Sequence, residues 1–367
     1  MQTSSETGSP VAAWFMVGAL WFTYVVSYLD RLIISLLIEP IKADFGLTDF
    51  QVSLLVGFSF VLFYGAFALP VAYIADRSSR KRVIMVGVTI WGTMTALCAV
   101  ARGFLSLLIF RFGVGAGESA LHPSAMSMLA DRFPPERRTL PVAIFLSASS
   151  AGAAVAYIFG GLLVGFAASI GTINIPVFGE LSPWQLTFLL VALPALISLL
   201  LMSFVQEPLR QETSPPAAVA ADAPSGFVEH LRKHWLAYTG CILGPAVSQM
   251  ATYAFMTWIP SLFVRQYGWG PEVSGPAVGL TMVGGGLLGT LIASPVQKMI
   301  RGRGVIDAGY FGTVSTFTFL VVAFVIVTAL GFVVPGFVSL LQSSPQAVLV
   351  LLAIAAPTTV LANVYPQ

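Results

Sequence analysis

Charge is what this chain has least of. Asp, Glu, Lys and Arg make up 9% of its 367 residues and hydrophobic residues 57%, where a soluble domain carries about 25% charged residues. So little polar surface cannot coat two or three soluble domains, and so apolar a chain is not a disordered one. Two cysteines cannot build a disulfide scaffold. Eighteen basic against sixteen acidic residues leave a net charge of +2, with no basic footprint for nucleic acid. Histidine is scarce as well. The three are scattered at His122, His230 and His234, and neither H-E-x-x-H nor G-x-S-x-G occurs. No metal set or nucleophile site of an enzyme is therefore expected. Cys98 and Cys241 fall in apolar runs and read as packed thiols.

What the chain has is long apolar runs. A helix crossing the hydrocarbon needs about 20 mostly apolar residues, and ten such runs can be drawn: 14–38, 50–74, 83–101, 104–130, 139–169, 185–206, 234–264, 273–297, 305–333 and 346–364. They are too long and unbroken for the alternating strands of a barrel. The first lacks a basic leader and an A-x-A site, and reads as a span. The expectation is an all-α integral membrane protein. With the N-terminus inside, the inner loops hold thirteen Lys and Arg, including Arg77, Arg80, Arg137 and Arg210, and the outer loops hold three, Lys42, Arg102 and Arg265. That bias predicts a multi-pass protein of the cell membrane with a cytoplasmic N-terminus.

Residues 207–233 form the one long polar stretch, rich in Pro and Ala, and read as a cytoplasmic linker. It separates a six-helix bundle, 1–206, from a second bundle, 234–367, in which four spans are counted. The two sides echo each other at an offset of 221: Trp14 with Trp235, Gln51-Val52-Ser53 with Glu272-Val273-Ser274, Gly65 with Gly286, and Asp76-Arg77-x-x-Arg80-x-Arg82 with Gln297-Lys298-x-x-Arg301-x-Arg303. A duplication of parallel six-helix halves is expected, with the second half incomplete.

Four charged residues, Asp30, Arg31, Arg111 and Glu118, lie inside apolar runs, where each costs about 3 kcal/mol at a helix centre on insertion scales. At 1.5 Å per residue, Asp30 and Arg111 sit about 12 and 10 Å from the outer ends of their spans, so they are placed to pair. Arg31, about 100° further around the helix, either shares that acid or serves another partner. Glu118, about 21 Å deep, has no obvious cation at its level and is expected to be an unpaired carboxyl near the midplane. Arg111, Gly115, Glu118 and His122 share one helix face, which should line a cavity, and Pro123 can bend the helix there. A buried pair that only fixes helix packing is the alternative for Asp30 and Arg111, and a structural hydrogen bond for His122. Gly152, Ala156 and Gly160 offer a small face for close packing or sliding. On the seventh span, Gln249, Tyr253 and Trp258 are candidates to face a substrate.

These residues resemble a known family. Ala72-x-x-x-Asp76-Arg77-Ser78-Ser79-Arg80-Lys81 is similar to the loop signature G-x-x-x-D-R-x-G-R-(K/R) of the major facilitator superfamily, with both glycines replaced. Arg111-Phe112-Gly113-Val114-Gly115-Ala116-Gly117-Glu118 resembles that superfamily's span 4 motif. Together with Tyr28-x-Asp30-Arg31 and Asp131-Arg132-Phe133-Pro134-Pro135-Glu136-Arg137, it is similar to the Spinster-like branch. The resemblance implies a monomeric secondary transporter in the bilayer that works by alternating access. It implies protons rather than a cofactor as the coupling agent and a lipid-like or amphiphilic small molecule as substrate. It implies proton coupling at Asp30 and Arg111, with Arg31 in support, and a cavity role for Glu118. It further implies a cytoplasmic gate made of Asp76, Arg77, Arg80, Asp131, Glu136 and Arg137. A polyspecific exporter of drugs or organic solutes, and a truncated paralogue that does not transport, stay open as alternatives.

Overall fold

The structure, a computed structural model, describes residues 9–176, 179–210, 232, 235–284 and 344. Spans nine and ten of the sequence reading, and the repeat partners Gly286, Gln297, Lys298, Arg301 and Arg303, lie outside these residues. The chain divides into two units. The first holds residues up to Leu209 together with Thr257–Val283; the second takes Arg210–Met256 and residues from Gly284 onward.

The helices begin where the side chains supply caps. In α1 (Pro10–Leu36) the Ser9 hydroxyl accepts from the Ala12 amide and Pro10 occupies the first turn, a position that needs no amide donor. A short α2 (Ile38–Phe45) follows and stops at Gly46, whose φ of 62° is left-handed. Thr48 and Gln51 form a capping box at α3 (Asp49–Ser53). The chain continues through a π-helical turn, Leu54–Phe58, into α4 (Ser59–Arg77). Ser79 caps α5 (Arg80–Cys98). The expected fourth span is two helices, α6 (Phe104–Glu118) and α7 (Leu121–Arg132). The break precedes Pro123, which has no amide for the Ser119 carbonyl, and the Ala120 amide tightens onto Gly117. α8 (Thr139–Ile170) and α9 (Pro183–Phe204) follow. α10 (Trp235–Tyr267) follows, and residues 271–284 are helical again.

Five of these segments are long and apolar enough to cross a membrane: α1, Asp49–Arg77, Phe104–Arg132, α8 and α9. The all-α expectation missed one feature. Between α8 and α9 a small antiparallel hairpin pairs β1 (Ile173–Ile175) with β2 (Gly179–Leu181), Asn174 opposite Glu180. β-branched residues on a short polar connection favour that pairing over helix.

In the first unit α1 packs along α8 and α9, α5 lies against α6 and α9, and α4 lies against α6. Small residues set the spacing. A Cβ at Gly117 would come within 2.7 Å of the Trp91 amide, and one at Gly152 within 2.5 Å of the Tyr28 Cβ. Met16, Leu20, Ile84, Trp91 and Phe145 fill the interior. Large apolar side chains such as Leu69, Leu105, Leu162, Leu196 and Leu200 point outward. Water would penalise that surface, and a lipid environment does not.

Candidate functional site

Two layers of buried charge run through this bundle. In the first, α1 brings Asp30 and α6 brings Arg111, both essentially without exposure. They meet as the depth count expects, yet loosely: Arg111 Nη1 is 4.0 Å from Asp30 Oδ1 and 3.5 Å from the Asp30 carbonyl oxygen. Thr95 on α5 donates its hydroxyl to Asp30 Oδ2. Arg111 Nε and Nη2 and Asp30 Oδ1 have no hydrogen-bond partner among the described residues. Unsatisfied buried polar atoms are rare and costly in a native fold, and here three belong to one pair of residues.

The second layer corrects the expectation for Glu118, which is not unpaired. Arg31 Nη2 donates to Glu118 Oε2 at 2.6 Å, and the Ser27 hydroxyl donates to the same oxygen at 2.7 Å. Arg31 thus serves a different acid from Asp30. Adjacent residues on one helix diverge by about 100°, and the long arginine side chain bridges the difference in level. The guanidinium of Arg31 lies over three rings, with its carbon 4.8 Å from the centre of Tyr28, 4.3 Å from Phe60 and 5.4 Å from Tyr64. Phe60 and Tyr64 follow the π-helical turn, a distortion that often accompanies functional sites. Glu118 Oε1 has no hydrogen-bond partner among the described residues.

His122 lies past the break between α6 and α7. It packs edge-on to Tyr24, with centroids 6.1 Å apart, and against Phe145 at 5.8 Å. Gln249 and Tyr253 belong to the second unit, and the Gln249 side chain lies outside the described residues. Trp258 belongs to the first unit, where Arg265 sits 5.5 Å from its ring centre. Arg265 in turn forms a two-pronged bond to Asp49, at 3.0 and 2.7 Å, and reaches Glu39 at 2.8 Å.

At the opposite end of the bundle Arg80 is a buried hub. It is paired with Asp131, and its Nη1 lies 3.0 Å from the Ser127 hydroxyl. Nη2 donates to the Pro208 carbonyl at 2.7 Å, and Nε reaches Glu207 at 3.4 Å. Glu207 also accepts from the Arg80 amide at 2.7 Å and from the Ser79 hydroxyl. Burial alone would raise the Glu207 carboxyl; those hydrogen bonds outweigh it and hold the group below its ordinary value. Of the six expected gate residues, this hub gathers Arg80 and Asp131. Asp76, Arg77, Glu136 and Arg137 are exposed, and Arg77 stacks on Tyr73 at 3.5 Å. Sequence reasoning missed Glu207, which it left in the linker. The available signal was an acid-proline pair directly after an apolar run.

The Major Facilitator Superfamily model matches residues 20–361. An MFS-type efflux pump of Mycolicibacterium smegmatis is 30% identical over 82% of this chain and 66% of its own length. Protein spinster of Drosophila melanogaster is 32% identical over 40% of this chain and 24% of its own. The crystal structure of a bacterial homologue of the human lysosomal transporter Spinster, inward-facing and unoccupied, superposes with a TM-score of 0.75 at 26% identity. That match covers 97% of this chain and 74% of the homologue. The chain therefore spans less than two thirds of the length of either curated relative.

Proposed function

Because this chain belongs to the Major Facilitator Superfamily, in its Spinster-like branch, we propose that it acts in proton-coupled secondary transport, moving a lipid-like or amphiphilic small molecule by alternating access. In this reading it is a monomer of the cell membrane with its N-terminus in the cytoplasm, and the Arg80 hub is the core of the cytoplasmic gate. Asp76, Arg77, Glu136 and Arg137 flank that core. His122 shapes the wall near Tyr24.

The observation that carries the reading is the Asp30–Arg111 layer, in which, among the described residues, a fully buried arginine has two unfilled donors beside an acid with an unfilled acceptor. An ionised Asp30 holds Arg111 by charge. A proton on Asp30 cancels that attraction and leaves the arginine to seek another acceptor. The two protonation states therefore favour different helix arrangements, and a difference of a few kcal/mol reverses a two-state population. Glu118 and Arg31 form the adjoining wall, where the substrate's polar group is met. In liposomes with an imposed pH gradient, Asp30→Asn should abolish proton-driven uptake while the protein stays folded. Unchanged proton-coupled flux in that variant overturns the proposal.

A second reading, export of varied organic solutes, is favoured by the similarity to the mycobacterial efflux pump across most of this chain. A substrate screen with the same liposomes separates the two. Competition by lysolipids alone supports the first, and competition by many unrelated solutes supports the second.

A further inference from the structure

We infer that the Glu118 pocket is an organic-cation site in which Arg31 sits as an internal stand-in for the ligand. The inference rests on the transport reading only in taking Glu118 as a substrate-facing residue, and it names the chemical class that the residue receives.

Three helices converge on one positive group. Tyr28 of α1 and Phe60 and Tyr64 of α4 surround the Arg31 guanidinium within 5.4 Å. Glu118 of α6 supplies the counter-charge at 2.6 Å. A buried ion pair needs good geometry and further hydrogen bonds, but it does not need three ring faces. Ring faces and one carboxylate are what a weakly hydrated organic cation requires. A hard metal cation would need six or more oxygens, and the ring faces turned toward this group offer none. An anion would have to settle beside an ionised Glu118, which opposes it.

Two details fit an exchange of ligands. Glu118 Oε1 has no hydrogen-bond partner among the described residues, so Arg31 engages only one of the two oxygens over which the carboxylate charge is spread. The Arg31 side chain is 14% exposed and that of Glu118 is not exposed at all. An entering cation therefore meets Arg31 first and reaches the acid by displacing it. The displacement makes binding to the unaltered protein weak, and removal of the arginine side chain empties the cage.

The test is calorimetric titration of the purified full chain in detergent with tetraethylammonium chloride, with sodium chloride as control. Arg31→Ala should bind tetraethylammonium at least tenfold more tightly than the unaltered protein. Adding Glu118→Gln or Phe60→Ala to that variant should weaken binding at least tenfold, and sodium chloride should give no binding heat. A folded Arg31→Ala that ignores tetraethylammonium overturns the inference, as does binding indifferent to Glu118→Gln. Arg31→Met, which keeps the aliphatic stem, replaces Arg31→Ala if the latter does not fold. If neither folds, the unaltered protein must itself bind tetraethylammonium and lose that binding in Phe60→Leu; failure there equally overturns it. Binding needs neither a pH gradient nor flux. Intact cation binding without transport refutes the transport reading alone, and transport without cation binding refutes this inference alone.

Discussion

Arg31 and Glu118 form a buried ion pair, 2.6 Å between Nη2 and Oε2, that joins α1 to α6. Neither residue is independent of the other. Removing one partner strands a charge in a low-dielectric interior, at a cost of about 3–5 kcal/mol. Glu118→Ala should therefore lower the thermal midpoint in detergent markedly. The double variant Arg31→Met/Glu118→Ala should be less destabilised than Glu118→Ala alone. A double variant as damaged as the sum of the two single ones would show that the pair is not coupled.

The Arg80 hub depends on the shape of the guanidinium. Arg80 contacts Asp131, Ser127, Glu207 and the Pro208 carbonyl through three different nitrogens. A lysine has one nitrogen and cannot span four acceptors. Arg80→Lys should destabilise nearly as much as Arg80→Ala, although the charge is kept. Thermal melting of the two variants side by side checks this.

Glu207 makes that hub sensitive to acid. Its carboxyl is held below the ordinary glutamate value by hydrogen bonds that outweigh its burial. A depressed folded value means that its stabilising contribution is complete above the unfolded value, about 4.3. The contribution is lost as pH falls from there through the folded value. Melting curves between about pH 6 and about pH 3, which span the ordinary glutamate value, should show a shallower acid limb for Glu207→Gln than for the unaltered protein. Parallel limbs would remove Glu207 from the account.

Close helix contacts predict opposite outcomes for two glycines. A Cβ at Gly117 would meet the Trp91 amide at 2.7 Å and the Gly87 carbonyl oxygen at 2.8 Å, whereas one at Gly57 meets nothing within 4 Å. Gly117→Ala should cost about 1–3 kcal/mol by overpacking the crossing of α5 and α6. Gly57→Ala should be neutral or slightly stabilising, since alanine favours helix. Denaturant titration of both variants measures the contrast.

Much of the architecture was legible without coordinates, because the bilayer imposes a length and polarity rule that each segment obeys on its own. Runs 14–38 and 139–169 lie within or close to α1 and α8. Counting residues along helices also brought Asp30 to the level of Arg111. The break ahead of Pro123 was foreseen only as a bend.

What the amino-acid order determined by itself is which residues enter the apolar layer, and at what depth, since both follow from hydropathy and a fixed rise per residue. Partnership was decided by the tertiary structure alone. Periodicity assigns Asp30 and Arg31 to different directions, but only the packing of α1 against its neighbours gives Arg111 to one and Glu118 to the other. The same holds for Glu207, which a polar stretch made look like linker and which folds back onto Ser79 and Arg80. These charges find partners across chain separations of 81 to 127 residues. Local sequence carries no record of such distances, because they are set by how the helices close on one another.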